Sequence, residues 1–179
     1  EMCIRDRFRY LEPTYSGEAY AAYMPGDRQR DRDRWAYSLQ HRGVIDSPIG
    51  GLGLNMNLNR VSDDNYWRDF PLAAKSLRER LLPNDVNLSW ARGDNVLTLR
   101  TLYWQTMQDA SAPIAPPYGM KPQLQWRYTP LDLPHGLDFS FVADTTRFEI
   151  DKPLAGMTYN NGQRSYMLAQ VSRPFLSPG

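Results

Sequence analysis

The chain has 179 residues, and its 21 Lys and Arg nearly balance 20 Asp and Glu for a formal charge of +1, so no basic excess points to nucleic acid. Mean hydropathy is −0.61, and no run of about 18 apolar residues occurs, which excludes a transmembrane helix. The strands of a membrane β-barrel are not excluded, because alternating apolar and polar residues average to a hydrophilic chain. Aromatic residues make up 12% of the chain, including 11 Tyr and 5 Trp, and these two side chains suit a boundary between water and hydrocarbon.

Residues 1–7, Glu1-Met2-Cys3-Ile4-Arg5-Asp6-Arg7, read unlike anything after them and are set apart as a non-native artefact. The barrel domain is read as residues 8–179. Cys3 is the one cysteine and cannot form an internal disulfide. Strands are expected at 8–12 and 18–24, then at 35–40, where Trp35, Tyr37 and Leu39 alternate with Ala36, Ser38 and Gln40.

The clearest pattern lies at 49–62. From Leu52 to Asn59 every even position is apolar and every odd one is Gly or Asn, so one face meets an apolar medium and the other meets polar groups. The stretch 73–82 has good helix formers and stops at Pro83, which predicts a short helix within a loop. Alternation returns at 86–92, less tidily at 96–107, then at 123–128 and 136–148, with a last strand at 164–173. That makes about nine strands. On this reading Leu54, Met56, Leu124, Trp126, Phe139 and Phe141 face lipid, and Asn55, Asn57, Gln125, Arg127, Asp138 and Ser140 face the lumen.

Connections alternate short and long. The expected short ones are 13–17, 43–48, 92–95 and 130–135; the long ones are 25–33, 63–85, 108–121 and 149–163. Short turns at one end and long loops at the other mark an up-and-down barrel, with the short turns periplasmic. A soluble Greek-key sandwich shows no such parity. Strands of about 9–11 residues suffice to cross a membrane when tilted, and 49–62, 96–107 and 136–148 reach that length, whereas 86–92 falls short unless it starts before Asp85. The fold class is therefore all-β, an antiparallel up-and-down transmembrane β-barrel wall, about nine strands of a larger barrel and incomplete by itself.

No catalytic, cofactor or metal residue is expected. His41 and His135 are far apart with no Cys or carboxylate at ligand spacing, and His41 is placed at a strand end near the interface. Gly50, Gly51 and Gly53 open a strand and lead into no helix, unlike a phosphate loop. No Gly-x-Ser-x-Gly elbow occurs. The run Asp27-Arg28-Gln29-Arg30-Asp31-Arg32-Asp33-Arg34 alternates in sign. It reads first as a solvated loop whose charges neutralise each other, and second as a contact for anionic lipopolysaccharide head groups. Asp63, Asp64 and Asp69 stand as a weak alternative for a divalent cation.

The segment containing Val61, Ser62, Asp63, Asp64, Tyr66, Trp67, Asp69 and Phe70 resembles the Val-Ser-Asp-x-x-Tyr-Phe-x-Asp-Phe stretch of the LptD family of lipopolysaccharide-assembly (organic-solvent-tolerance) proteins, with Trp67 where the family has Phe. The resemblance extends from about Arg7 to the C-terminus through Tyr23-Met24-Pro25-Gly26-Asp27, Arg34-Trp35 and His41-Arg42-Gly43-Val44. It implies the cell outer membrane of a Gram-negative bacterium and part of the translocon that assembles lipopolysaccharide in the outer leaflet, as non-catalytic wall. It also implies three partners: lipopolysaccharide, the plug lipoprotein LptE, and periplasmic bridge proteins reached through an N-terminal domain that this chain lacks. A porin or uptake channel would share the loop parity, and a soluble β-rich binding domain stands as the remaining alternative.

Overall fold

The computed structural model describes residues 4–28, 31–70 and 79–174. Nine strands form one antiparallel sheet in which each pairs with its sequence neighbours: β1 (Ile4–Leu11), β2 (Tyr15–Asp27), β3 (Arg32–Ser47), β4 (Gly50–Val61), β5 (Leu81–Arg92), β6 (Asn95–Thr106), β7 (Gly119–Tyr128), β8 (Asp138–Glu149) and β9 (Gly162–Ser172). The helical content described is one turn, α1 (Tyr66–Asp69), and a 3₁₀ turn at Pro134–Gly136. From β2 to β9 every strand has between 10 and 16 residues, long enough to cross a tilted membrane path. At the edges, β1 and β9, no further strand is paired among the described residues.

Two of the tight turns have visible causes. Gly50 sits at φ +127°, and a Cβ there would meet the Ala91 carbonyl at 2.5 Å; the Ser47 hydroxyl closes the turn by donating to the Gly50 carbonyl at 2.6 Å. Gly93 at φ +52° supplies the left-handed residue that a two-residue hairpin needs between β5 and β6.

The connections predicted at 13–17 and 43–48 contract to 12–14 and 48–49, and the alternation of short and long breaks at two other places. Strands β2 and β3 run on through Pro25 and Arg32, so the connection predicted at 25–33 shrinks to 28–31. Pairing tolerates this through an irregularity between Met24 and Asp27. The turn predicted at 130–135 widens to 129–137. Elsewhere the parity stands, with 12–14, 48–49 and 93–94 at one end and 62–80, 107–118 and 150–161 at the other.

The predicted helix at 73–82 is corrected where it can be seen. Residues 73–78 lie outside the described residues, and Leu81 and Leu82 are the opening of β5. That start gives β5 its 12 residues. Pro83 does not stop a helix. Its carbonyl accepts from Asn59 Nδ2 at 2.9 Å, so this edge of Pro83 faces β4, where a proline has no N–H to give.

The β4–β5 ladder accordingly ends at the Asn57–Asp85 pair. Beyond it, side-chain amides replace the missing strand. Asn59 N–H donates to Asn84 Oδ1 at 2.9 Å, Val61 N–H donates to Gln105 Oε1 at 3.0 Å, and Gln105 Nε2 donates back to the Val61 carbonyl at 2.8 Å. Leu82 belongs by register to the face of Leu88 and Leu54, yet it packs, fully buried, with Ala36 and Val61 of the opposite face. The ends of β5 and β6 have stepped towards that opposite face and tuck behind β3 and β4.

Candidate functional site

Residues paired across an antiparallel ladder point to one side of the sheet, so the register sorts every strand residue. Leu54 pairs Leu88, Leu88 pairs Leu99, and Leu99 pairs Leu124; Trp126 and Phe141 share that face, in edge contact at 5.2 Å, and Met56 and Phe139 join them. The face is apolar and unburied: Leu88, Leu99, Leu124 and Trp126 are all more than 40% exposed. Trp35 and Tyr37, stacked at 6.0 Å, sit towards its long-loop end beside Tyr23; Trp126, Tyr128 and Phe139 gather towards the short-turn end. Aromatic residues flanking an aliphatic band are the pattern of a membrane barrel's outer surface.

The opposite face carries Asn55, Asn57, Gln125, Arg127, Asp138 and Ser140, and it is knitted by polar contacts. Arg100 grips both oxygens of Asp85 at 2.9 and 2.6 Å. Asp144 accepts from Gln123 at 2.8 Å and from Thr146 at 2.9 Å. Ser38 donates to Asn59, which donates to Asn57. Glu18 takes Arg7 and Arg9 at 2.8 and 2.7 Å. An open groove of about 880 Å³ runs over this face between Glu18, Gln40, Asn57 and Arg100. These polar pairs are not singled out by the sequence.

The motif at 61–70 folds over the long-loop end of the polar face and wraps one buried cation. Arg34, 2% exposed, donates to Asp63 at 3.0 and 3.1 Å, to Asp27 at 3.1 Å and to Asp69 at 2.8 Å. Its guanidinium lies 5.5 Å from the Tyr66 ring centre and 4.6 Å from that of Phe70. Those rings stack at 4.5 Å, while Tyr66 and Val61 join Ala36, Leu82 and Met107 in an apolar core cluster. Ser62 donates to Asp63 at 2.7 Å, Trp67 lies between Arg68 and Arg80, and Asp64 is exposed.

This corrects the first reading of the charged run. Asp27 and Arg34 are buried members of the cage, and Arg32 reaches Asp63 at 3.1 Å; Gln29 and Arg30 lie outside the described residues. Asp63 and Asp69 spend their charge on Arg34, and no cluster suited to a metal ion occurs among the described residues. His41 sits within β3, not at a strand end, its Nδ1 2.6 Å from the Tyr10 hydroxyl. His135 lies in the 3₁₀ turn far along the chain. In the loop after β6, the Ser111 hydroxyl and amide, with Arg68 beside them, hold Asp109 below the usual carboxylate range.

A continuous up-and-down sheet of membrane-crossing strands, apolar and aromatic on one side and hydrogen-bonded on the other, defines the wall of an outer-membrane type of β-barrel. Residues 32–179 match the family described as LPS transport system D, LptD, and the chain belongs to that family. It is 57% identical to the LPS-assembly protein LptD of Acidovorax sp. (strain JS42) over 99% of this chain and 22% of that protein. Against the protein of the same name from Paracidovorax citrulli (strain AAC00-1) it is 56% identical over 96% of this chain and 21% of the relative, and against that of Polaromonas sp. (strain JS666 / ATCC BAA-500) 52% over 98% and 22%. The chain thus spans about a fifth of the length of the curated relatives it matches. LptD proteins reside in the outer membrane of Gram-negative bacteria.

Proposed function

We propose that this chain is a length of non-catalytic wall in the outer-membrane translocon that assembles lipopolysaccharide in the outer leaflet. Its face bearing Leu54, Met56, Leu124, Trp126, Phe139 and Phe141 meets lipid. Its face bearing Asn55, Asn57, Gln125, Arg127, Asp138 and Ser140 lines a hydrated lumen that encloses the plug lipoprotein LptE. Lipopolysaccharide arrives from periplasmic bridge proteins through a domain outside this chain. The wall so proposed takes in β1 from Ile4, since Ile4 to Arg7 pair with Tyr23 to Tyr20 of β2. The observation that carries the reading is the separation of an exposed apolar face from a polar, hydrogen-bonded one, clearest in β4, β5 and β7, although Leu102 and Trp104 of β6 stand on the polar side. In hydrocarbon every unpaired backbone group costs several kcal/mol, so edges such as β1 and β9 require neighbours within the whole barrel.

Topology gives the test. With long loops outside the cell and short turns in the periplasm, a cysteine replacing Asn160, in the loop 150–161, reacts with an impermeant thiol reagent on whole cells. A cysteine replacing Ser47, at the β3–β4 turn, reacts only after the outer membrane is opened. Labelling at Ser47 with none at Asn160 would invert the reading.

A further inference from the structure

The step where β5 and β6 leave β4 opens a crevice of about 370 Å³ at the long-loop end of the apolar face. We propose that this crevice binds the phosphoryl group of an outer-leaflet lipid through Arg60 and Lys152; the inference rests on the membrane orientation proposed above.

The register puts Arg60 on the same face as Tyr37 and Leu39, and puts Asn84, Tyr103 and Gln105 there too. At this height the aliphatic band gives way to exposed Arg60 and half-buried Tyr103 and Gln105, with Asn84 buried beneath them, at the level where head groups lie. The floor is rigid, because the amides of Asn84 and Gln105 are committed to the backbones of Asn59 and Val61.

Charge then favours an anion. Both carboxylates lining the crevice are already held, Glu149 by Arg147 at 2.6 Å and Asp151 by Lys121, which also lies over the Tyr103 ring. Of the acids on the far side of Lys152, Asp63 and Asp109 are paired with arginines, which leaves exposed Asp64 as a single carboxylate there against the two cations. Arg60 and Lys152, both exposed, have no ion pair or side-chain hydrogen bond among the described residues.

Two unspent cations at the mouth of a recess match a phosphate monoester better than a zwitterion, whose own cation would meet them. Below the crevice, exposed Leu88 and Leu99 continue down the same face and offer a track for acyl chains. A free phosphate could use the cations but not that track.

The test uses the full-length protein, with the partners that co-purify, in phosphatidylcholine nanodiscs containing either phosphatidic acid or the diacylglycerol with the same acyl chains. Native mass spectrometry reads the bound lipid. The Arg60→Gln/Lys152→Gln variant should bind phosphatidic acid on the order of thirtyfold more weakly, two interfacial charges being removed, and should bind diacylglycerol as the wild type does. Equal retention of phosphatidic acid by wild type and variant would overturn the site. Complete displacement by an equal concentration of inorganic phosphate would show a free-anion site and overturn the lipid assignment. If the double variant folds poorly, Lys152→Gln alone, outside any strand, carries the same comparison. Cysteine labelling at Asn160 and Ser47 in the same background separates the outcomes: normal labelling with equal retention removes this site alone, whereas inverted labelling removes the orientation beneath it.

Discussion

Leu54→Arg in the intact barrel should lower its unfolding free energy by about 2–4 kcal/mol, while Asn55→Arg, one residue along, should cost far less. The contrast comes from the period of a strand. Leu54 lies in the row of Leu88, Leu99 and Leu124, halfway between the aromatic groups of the apolar face. An arginine there must bury its charge in hydrocarbon or pull water into it. Asn55 pairs Asn87 on the polar face, where Arg100 and Asp85 already sit, so a new guanidinium finds water and acceptors. Denaturant titration of the refolded barrel in lipid vesicles measures both. Equal losses would mean that the two faces see the same medium.

Arg34→Ala should be at least as damaging, at about 3–5 kcal/mol, because it strands buried carboxylates without their cation. The side chains of Asp27 and Asp63 are each 5% exposed and that of Asp69 is 24% exposed, and all three would face one another across the vacated space. The stack of Tyr66 and Phe70 would lose its cation as well. The segment 61–70 should then lift from the polar face and become open to protease from outside the cell. Asp64→Ala, at an exposed neighbour in the same motif, should stay within about 0.5 kcal/mol of wild type. Arg34→Met should fall between the two, since it restores volume but not charge. An Arg34→Ala barrel as stable and protease-resistant as the wild type would show that the cage holds nothing in place.

The strands were legible because a half-buried strand writes its environment every second residue, and Leu52–Asn59 does so without a break. What escaped was settled between distant residues. Arg34 stands in a run of alternating charges and reads as solvated; its partners Asp63 and Asp69 lie on the loop that follows the neighbouring strand β4, about 30 residues on in sequence, and no local spacing links them. The parity of β3 held the clue, since Arg34 shares a face with Ala36 and Ser38. Leu81 and Leu82 look helical in sequence because good helix formers precede Pro83 and the alternation begins only at Val86. Pro83 itself is tolerated in a strand only because β4 has already parted from it, a fact of pairing invisible in a single segment. The motif at 61–70 stands out in sequence through its resemblance, and its physical role as a clasp on Arg34 is visible only in the fold.

Accessibility along β4 tests the central claim most directly. Nitroxides placed singly from Leu52 to Asn59 in the full-length barrel, in lipid, report collision with oxygen, which concentrates in hydrocarbon, and with a water-soluble nickel chelate. The account predicts alternation, with Leu52, Leu54, Met56 and Leu58 favouring oxygen and Asn55 and Asn57 favouring nickel, while buried Gly53 and Asn59 meet neither probe freely. Uniform nickel access at all eight positions would contradict it, and would make this sheet part of a water-exposed domain instead of a membrane wall.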